Sequence, residues 1–154
     1  MAIQTNPGEA FIHYSDSSDA YHVNSFRKQA AAIRSFQDYH MDTHGWSDIG
    51  YHYVVCQPAF PLMRARVFAC RNTTYVPAAQ LNHNTGTVAI CVLAGPKNRL
   101  YRNTRYVLEE LLKLHRSVKV VGGHRDVVST DCPGDNIYAE IPRIARIAGK
   151  KTYK

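Results

Sequence analysis

Thr87-Val88-Ala89-Ile90-Cys91-Val92-Leu93 decides the fold. The run is apolar or β-branched throughout and shows no polar alternation. A strand with one wet face alternates, whereas a strand covered on both faces does not. The run therefore reads as a buried central strand. Residues 10–14 (AFIHY) read as a first strand, followed by a polar turn at residues 15–19. Residues 49–56 (IGYHYVVC) are aromatic and β-branched, which is a strand signal. Pro58 and Pro61 break that strand, and residues 66–69 (RVFA) return as its hairpin partner. Residues 118–121 (VKVV) give one more strand, ending at Gly122-Gly123.

Helical periods separate these strands. Asn24 or Ser25 can cap a helix in which Phe26, Ile33, Phe36 and His40 share a face, and Gly45 ends it. Thr104 can cap a second helix, with Val107, Leu108, Leu111, Leu112 and His115 on its apolar side. Lys113 and Arg116 in its last turn suit the helix dipole. Ile137, Ile141, Ile144 and Ile147 mark a C-terminal helical part that Pro142 opens, because inside a helix Pro costs about 3 kcal/mol. Strands alternating with helices, plus one hairpin, predict an α/β class: one domain, residues 1–154, with a mixed central sheet flanked by helices.

The 154 residues suffice for a core without disulfide staples, and 45% hydrophobic with 20% charged residues is a globular balance. No apolar run reaches membrane-spanning length. The start, residues 1–7, has neither a basic cluster nor an apolar core, so no secretory signal is read there. That predicts a cytoplasmic origin, with release by something else if the protein acts outside. A formal net charge of +7 suggests an anionic partner such as nucleic acid, an anionic membrane or an anionic polymer. The cations are scattered, apart from the tail at residues 150–154, and no nucleic-acid motif is present. Neither a nucleic acid nor a membrane is the expected partner, and a monomer is expected. A solvated basic surface that aids solubility explains the charge equally well.

The four cysteines, Cys56, Cys70, Cys91 and Cys132, form no CxxC pair, which excludes a ribbon-type zinc site. Cys91 reads as a small buried hydrophobe. Cys56 and Cys70 flank the hairpin, and whether they pair is open at this stage.

The other informative stretch is His124-Arg125-Asp126-Val127-Val128-Ser129-Thr130-Asp131-Cys132-Pro133-Gly134. Its His and Cys lie too far apart for one helix turn, and the Pro-Gly sets a tight turn beside the Cys. A loop of this kind can aim an imidazole and a thiolate at one point, and zinc favours those ligands. A third ligand must come from elsewhere. His13 ends one strand as His124 follows another, and strand ends converge across a sheet. Two imidazoles and a thiolate leave one position open for water, as in catalytic zinc sites. Among the other histidines, His22, His44 and His83 lack such a setting. His40 and His115 fall on apolar helix faces as packing residues. His52, between Tyr51 and Tyr53, is expected on the opposite sheet face from both.

Four segments carry a family resemblance. Phe11-Ile12-His13-Tyr14-Ser15 is similar to the hydrophobic-His-x-Ser opening of the zinc-dependent N-acetylmuramoyl-L-alanine amidases, the family of the bacteriophage lysozyme-amidases and the peptidoglycan recognition proteins. Residues 45–53 (GWSDIGYHY) match its GWxDIGYH segment. Residues 84–90 (NTGTVAI) are similar to its Nxx(S/T)IGI strand, and residues 124–134 match HRDxxxTxCPG. The segments occur in the family's order and span residues 11–134.

The resemblance implies the family's recognition-protein-like amidase fold, with Zn²⁺ held by His13, His124 and Cys132. It implies hydrolysis of the amide between N-acetylmuramic acid and L-alanine in peptidoglycan. Tyr51 matches the active-site tyrosine that donates toward the developing oxyanion without adding charge. Thr130 matches a position where phage amidases carry Lys. It stands either for transition-state stabilisation or for a hydroxyl that orders the turn. Asn84 and His83 are the expected substrate contacts, His83 substituting for a family His where this chain has Ala78 and Ala79. Arg125 and Asp126 are expected to be structural, with Asp126 orienting His124. A sister branch carries Glu at the position of Cys91 and Asp at that of Cys132, so this chain fits the Tyr-and-Cys branch. The Pro-rich residues 57–64 are expected to reshape one wall of the groove. Together these imply a phage endolysin without a separate wall-binding domain, its basic surface holding anionic wall polymers. The alternative is a non-catalytic recognition protein of the same fold.

Overall fold

Residues 87–93 form β4 (Thr87–Leu93), every residue of which is buried in the computed structural model, whose described residues are 1–17, 25–58 and 60–154. The other elements are β1 (Glu9–Tyr14), α1 (Phe26–Asp42), β2 (Tyr53–Cys56), β3 (Arg66–Ala69), α2 (Arg102–Leu114), β5 (Val120–Gly123), a 3-10 turn (His124–Asp126), α3 (Asp135–Tyr138), α4 (Ile141–Ile147) and β6 (Lys151–Thr152). They make one six-stranded sheet of order β3-β2-β4-β1-β5-β6. Strands β2 and β3 run antiparallel; the other neighbouring pairs in this order are parallel. This is the mixed α/β architecture expected from the sequence. Among the described residues, no helix is long and apolar enough to cross a membrane.

The pleat sorts side chains between two covers. Ala10 and Ile12 of β1 and Val88, Ile90 and Val92 of β4 pack on Leu108 and Leu112 of α2 and on Ile141 and Ile144 of α4. Val54, Cys56, Cys91 and Leu93 face Ile33 of α1 and Ile49 instead. Each Leu or Ile buried this way contributes about 2 kcal/mol of transfer free energy. His13 sits opposite Cys91 in the β1–β4 register, which assigns it to the α1 face.

Several element boundaries differ from the sequence reading. Ser25 caps α1, its hydroxyl accepting from Lys28 N at 3.4 Å. Asn24, His22 and the end of the expected polar turn lie outside the described residues. Phe26 is exposed and stacks on Phe68 rather than entering the core. Helix α2 begins at Arg102, not at Thr104. Gln57 explains this: its amide donates to Arg99 O at 3.0 Å and accepts from Tyr101 N at 2.8 Å, ordering the chain ahead of the helix. The described part of residues 57–64 leans on α2, with Asn103 Nδ2 donating to Met63 O at 2.8 Å. It therefore lies on the α2 side of the sheet, opposite His13, where Leu62 and Arg64 line a cavity with Asn103, Tyr106 and Val107. Strand β5 starts two residues later than expected, at Val120. The basic tail adds a parallel edge strand, β6, which its polar composition did not signal.

Strand β2 starts only at Tyr53, so strict alternation fails before it. Tyr51 packs with Val54 and Cys56 on the α1 side, while Tyr53 packs on the α2 side. His52 is spliced into the backbone: Nδ1 accepts from Ala89 N at 3.0 Å, and Nε2 bonds Tyr75 O at 2.9 Å. The expectation that Tyr51 and Tyr53 share a face is corrected, because an irregular residue pair at His52 resets the period. The cysteine question is also answered. Cys56 pairs with Arg66, whereas Cys70 bonds back to His52. That four-residue offset along the ladder is roughly 13 Å, too far for a disulfide, and both thiols are free.

Burial lowers the pKa of His52 from 6.5 to about 4. The unfolded chain therefore binds a proton that the native state refuses between those values. Stability is full above pH 6.5 and falls as the pH drops toward 4, by about 3 kcal/mol from this residue. Urea unfolding at a series of pH values is expected to show this slope. His52→Gln, whose amide keeps one donor and one acceptor, is expected to flatten it.

Candidate metal centre

His13 stands at the carboxyl end of β1, and β1 is clamped between β4 and β5. His124 opens the 3-10 turn directly after β5, so adjacent parallel strands deliver two imidazoles to the same end of the sheet. Their ring centroids are 4.5 Å apart. The loop after the 3-10 turn then brings Cys132 back. Arg125 N donates to Cys132 O at 3.0 Å, and Arg125 Nη1 bonds Asp135 at 2.7 Å. The Cys132–Pro133 peptide is cis. Gly123 lets this loop close on the sheet, since a Cβ there would lie 2.8 Å from Tyr138 Cδ2 and 3.0 Å from Pro133 Cδ. Gly134 has φ +81° against Pro96 O, a position for which a side chain has neither room nor backbone preference.

The result is one cluster: the donor atoms of His13, His124 and Cys132 lie within 4.8 Å of one another. Cys132 Sγ is 3.8 Å from His13 Nδ1. Tetrahedral zinc with bonds of about 2.0 Å to nitrogen and 2.3 Å to sulfur separates such donors by about 3.5 Å, so the set fits the ion with little movement. Burial, and then the neighbouring His124, keeps the pKa of His13 well below 6.5. Burial also lowers His124. Both imidazoles are thus neutral at pH 7 and able to donate lone pairs. Burial pushes the Cys132 thiol up to about 12, which makes it a poor free thiolate but one that a cation would draw into ionisation. Tyr14 N donates to Cys132 Sγ at 3.4 Å, a bond that favours the thiolate.

Tyr51 borders the cluster, its ring 5.4 Å from that of His13. Burial first, then the nearby Cys91 and Cys132, raises its pKa well above 10, so it stays a neutral donor. The segment that carries it is irregular and is held by Arg71, which is 5% exposed. The Arg71 guanidinium donates to Ile49 O at 2.8 Å, Val76 O at 2.7 Å and Asp48 O at 3.0 Å. His40 Nδ1 accepts from Gly50 N at 3.1 Å, and its ring touches those of Trp46 and Tyr51. His40 is therefore more than the packing residue its helix position suggested. Neither Arg71 nor this role of His40 was legible in the sequence, because both act on backbone groups far along the chain.

The remaining expected site residues are placed as follows. Thr130 Oγ1 accepts from Cys132 N at 3.3 Å, which orders the turn and leaves its proton for another partner. Asn84 Oδ1 accepts from Ala79 N and Gln80 N at 3.0 and 2.9 Å. His83 Nε2 pairs with Glu9 at 2.8 Å, and its ring packs on Phe11. Asp126 serves the loop rather than the His124 ring. Its carboxylate takes Gly123 N at 2.8 Å and the Tyr138 hydroxyl at 2.5 Å. Cys91 is buried opposite His13, against the same site.

These features define an α/β domain with a His, His, Cys cluster at the strand ends that could hold a metal ion. No family model matches the chain. It is 31% identical over 144 residues, 88% of its length, to a human N-acetylmuramoyl-L-alanine amidase, of which it spans 24%. It is 29% identical over 139 residues to peptidoglycan-recognition protein SC1a of Drosophila melanogaster, covering 86% of this chain and 70% of that one. Drosophila PGRP-LB superposes with a TM-score of 0.76 at 23% identity, over 91% of this chain and 82% of that one. The ectodomain complex of PGRP-LCa and PGRP-LCx bound to tracheal cytotoxin gives a TM-score of 0.79 at 22% identity, over 93% and 86%. The chain belongs to the family of N-acetylmuramoyl-L-alanine amidases and peptidoglycan recognition proteins.

Arg71→Ala removes the donor from three backbone carbonyls, and a buried group left unpaired costs about 1–3 kcal/mol. We expect denaturant unfolding to show a loss of about 3 kcal/mol or more. Arg71→Lys is expected to recover only part of it, since an ammonium lacks the planar fork.

Proposed function

We propose that this chain is a zinc-dependent N-acetylmuramoyl-L-alanine amidase that acts on peptidoglycan. The observation that carries the reading is the convergence of His13, His124 and Cys132 within 4.8 Å, bordered by Tyr51. The domain corresponds to about a quarter of the human amidase's length, so activity is argued from the site rather than taken from that relative. The similar PGRP-LCa and PGRP-LCx complex holds tracheal cytotoxin, a monomeric diaminopimelic acid-type peptidoglycan, which supports peptidoglycan as the ligand class.

Zinc in a three-ligand site lowers the pKa of a bound water toward 7 and polarises a carbonyl. The chain's own residues do the rest. His13, His124 and Cys132 would hold the ion. Tyr51, kept neutral by burial, donates a hydrogen bond where negative charge develops on the carbonyl oxygen. The Thr130 hydroxyl, with its oxygen engaged by Cys132 N, offers its proton to the same oxygen. The amide C–N bond breaks, water supplies the carboxyl oxygen, and the products are a free lactyl carboxylate and the amine of L-alanine. The endolysin role rests on the resemblance to the phage lysozyme-amidases. The net charge of +7 supports retention on anionic wall polymers.

Three measurements test the reading. Elemental analysis is expected to give one zinc per chain, and Cys132→Ser is expected to abolish tight binding. Muropeptides digested with zinc are expected to release L-alanine amines, and a chelator is expected to stop this. Intact binding without any release would favour a non-catalytic recognition protein. Tyr51→Phe is expected to lower kcat by 100-fold or so, as for loss of one oxyanion donor. Wall binding is expected to weaken with added salt and after teichoic-acid removal, and insensitivity to both would refute the wall-polymer contact.

A further inference from the structure

The two nitrogens of the His13 ring have different surroundings. Nδ1 faces Cys132 Sγ at 3.8 Å. Nε2 is buried and, among the described residues, has no partner of ordinary hydrogen-bond geometry. Gln80 Oε1 is in the same condition, buried and without such a partner. One is a potential N–H donor and the other an obligate acceptor. Gln80 is the side chain whose hydrogen bonding acts on the His13 ring, opposing the effect of burial on its pKa.

Gln80 is held for this task. It is fully buried at 0% exposure. Its Nε2 donates to Thr87 Oγ1 at 2.9 Å, which points Oε1 the other way. Thr87 Oγ1 in turn donates to Asn84 O at 2.7 Å, so it can only accept from the amide. Asn84 Oδ1 takes the backbone N–H of Gln80 at 2.9 Å and fixes the base of the side chain. Gln4 closes the network, donating to Thr87 O at 2.8 Å and accepting from Gly86 N at 2.9 Å. An amide so anchored cannot flip without leaving two buried groups unpaired, which costs a few kcal/mol.

We propose that Gln80 is the positioning residue of the metal site: its Oε1 accepts from His13 Nε2–H, which fixes the tautomer and presents the bare Nδ1 lone pair toward Cys132 and His124. This rests on the reading of His13, His124 and Cys132 as a metal site. Outer partners of ligating histidines set ring orientation and basicity, and their loss typically costs 10- to 100-fold in metal affinity. A buried amide does this without the charge that a carboxylate would bring. Gln80 thereby also gives Asn84 a structural duty, as the residue that sets its backbone.

The test uses the full chain and zinc itself. Competition against a chromogenic chelator at fixed pH is expected to give a zinc Kd 10- to 100-fold weaker for Gln80→Leu than for the wild type. Gln80→Glu, which keeps an acceptor toward Nε2, is expected to bind zinc at least as tightly as the wild type. Nitrogen NMR of the metal-free wild type is expected to show His13 protonated at Nε2, and Gln80→Leu is expected to show both tautomers. Wild-type affinity in Gln80→Leu, or a wild-type His13 protonated at Nδ1, overturns the proposal. The wild-type tautomer decides the matter even if Gln80→Leu does not fold. Absence of zinc binding by the wild type would sink the metal reading instead, while the tautomer still reports on Gln80.

Discussion

The clamping of β1 between two parallel neighbours is the constraint on which the site depends. β1 pairs with β4 on one side and β5 on the other, so it can neither slide nor rotate. A slip of one residue would turn His13 from the α1 face to the apolar face packed by α2 and α4. In the same step Ile12 would be driven out of that core. The apolar packing of Ala10, Ile12, Val88, Ile90 and Val92 therefore holds the register that carries the chemistry. His124 inherits its place from the same pairing, because it follows the last residue of β5. Open α/β sheets bind ligands at the carboxyl ends of their strands. In this chain the candidate ligands His13 and His124 stand at that end of adjacent parallel strands.

Around that rigid centre, the irregular segments are held by polar side chains that act on backbone groups. Arg71 gathers the carbonyls of Asp48, Ile49 and Val76. Just before β2 begins, the His52 ring engages two backbone groups, Ala89 N and Tyr75 O. Asp126 and Arg125 shape the loop that returns Cys132. Each stands where regular pairing stops and a functional side chain must still be aimed. A backbone group buried without a partner costs free energy, so these side chains are needed wherever strand geometry ends near the site. The same logic joins Asn84, Thr87 and Gln80 into a support that reaches His13.

Much of this is legible in the amino-acid order. The continuous apolar run at residues 87–93 declares a strand covered on both faces, and the helical periods declare its covers. His13, His124 and Cys132 are identifiable as potential ligands because imidazole and thiolate chemistry is a property of residue type. The parts that sequence misplaces share a physical cause. Thr104 offers α2 a local cap, but Gln57, 45 positions before Arg102, sets the start of the helix from a distance. A period of two puts Tyr51 on the face of Tyr53, but that period is broken at His52 by a side-chain bond to Ala89. Strand β6 has no apolar pattern and exists only because β5 offers an edge.

Sequence alone thus determined the fold class, the pair of covered faces and the donor chemistry of the candidate ligands, since these follow from composition, period and residue type. Only the tertiary structure decided which nitrogen of His13 faces Cys132, which face Tyr51 occupies, and that Arg71, His40 and Gln80 belong to the site's support. Those facts depend on hydrogen bonds between groups distant in the chain. Such bonds leave no periodic trace, because a buried donor needs only one acceptor, wherever along the chain it comes from.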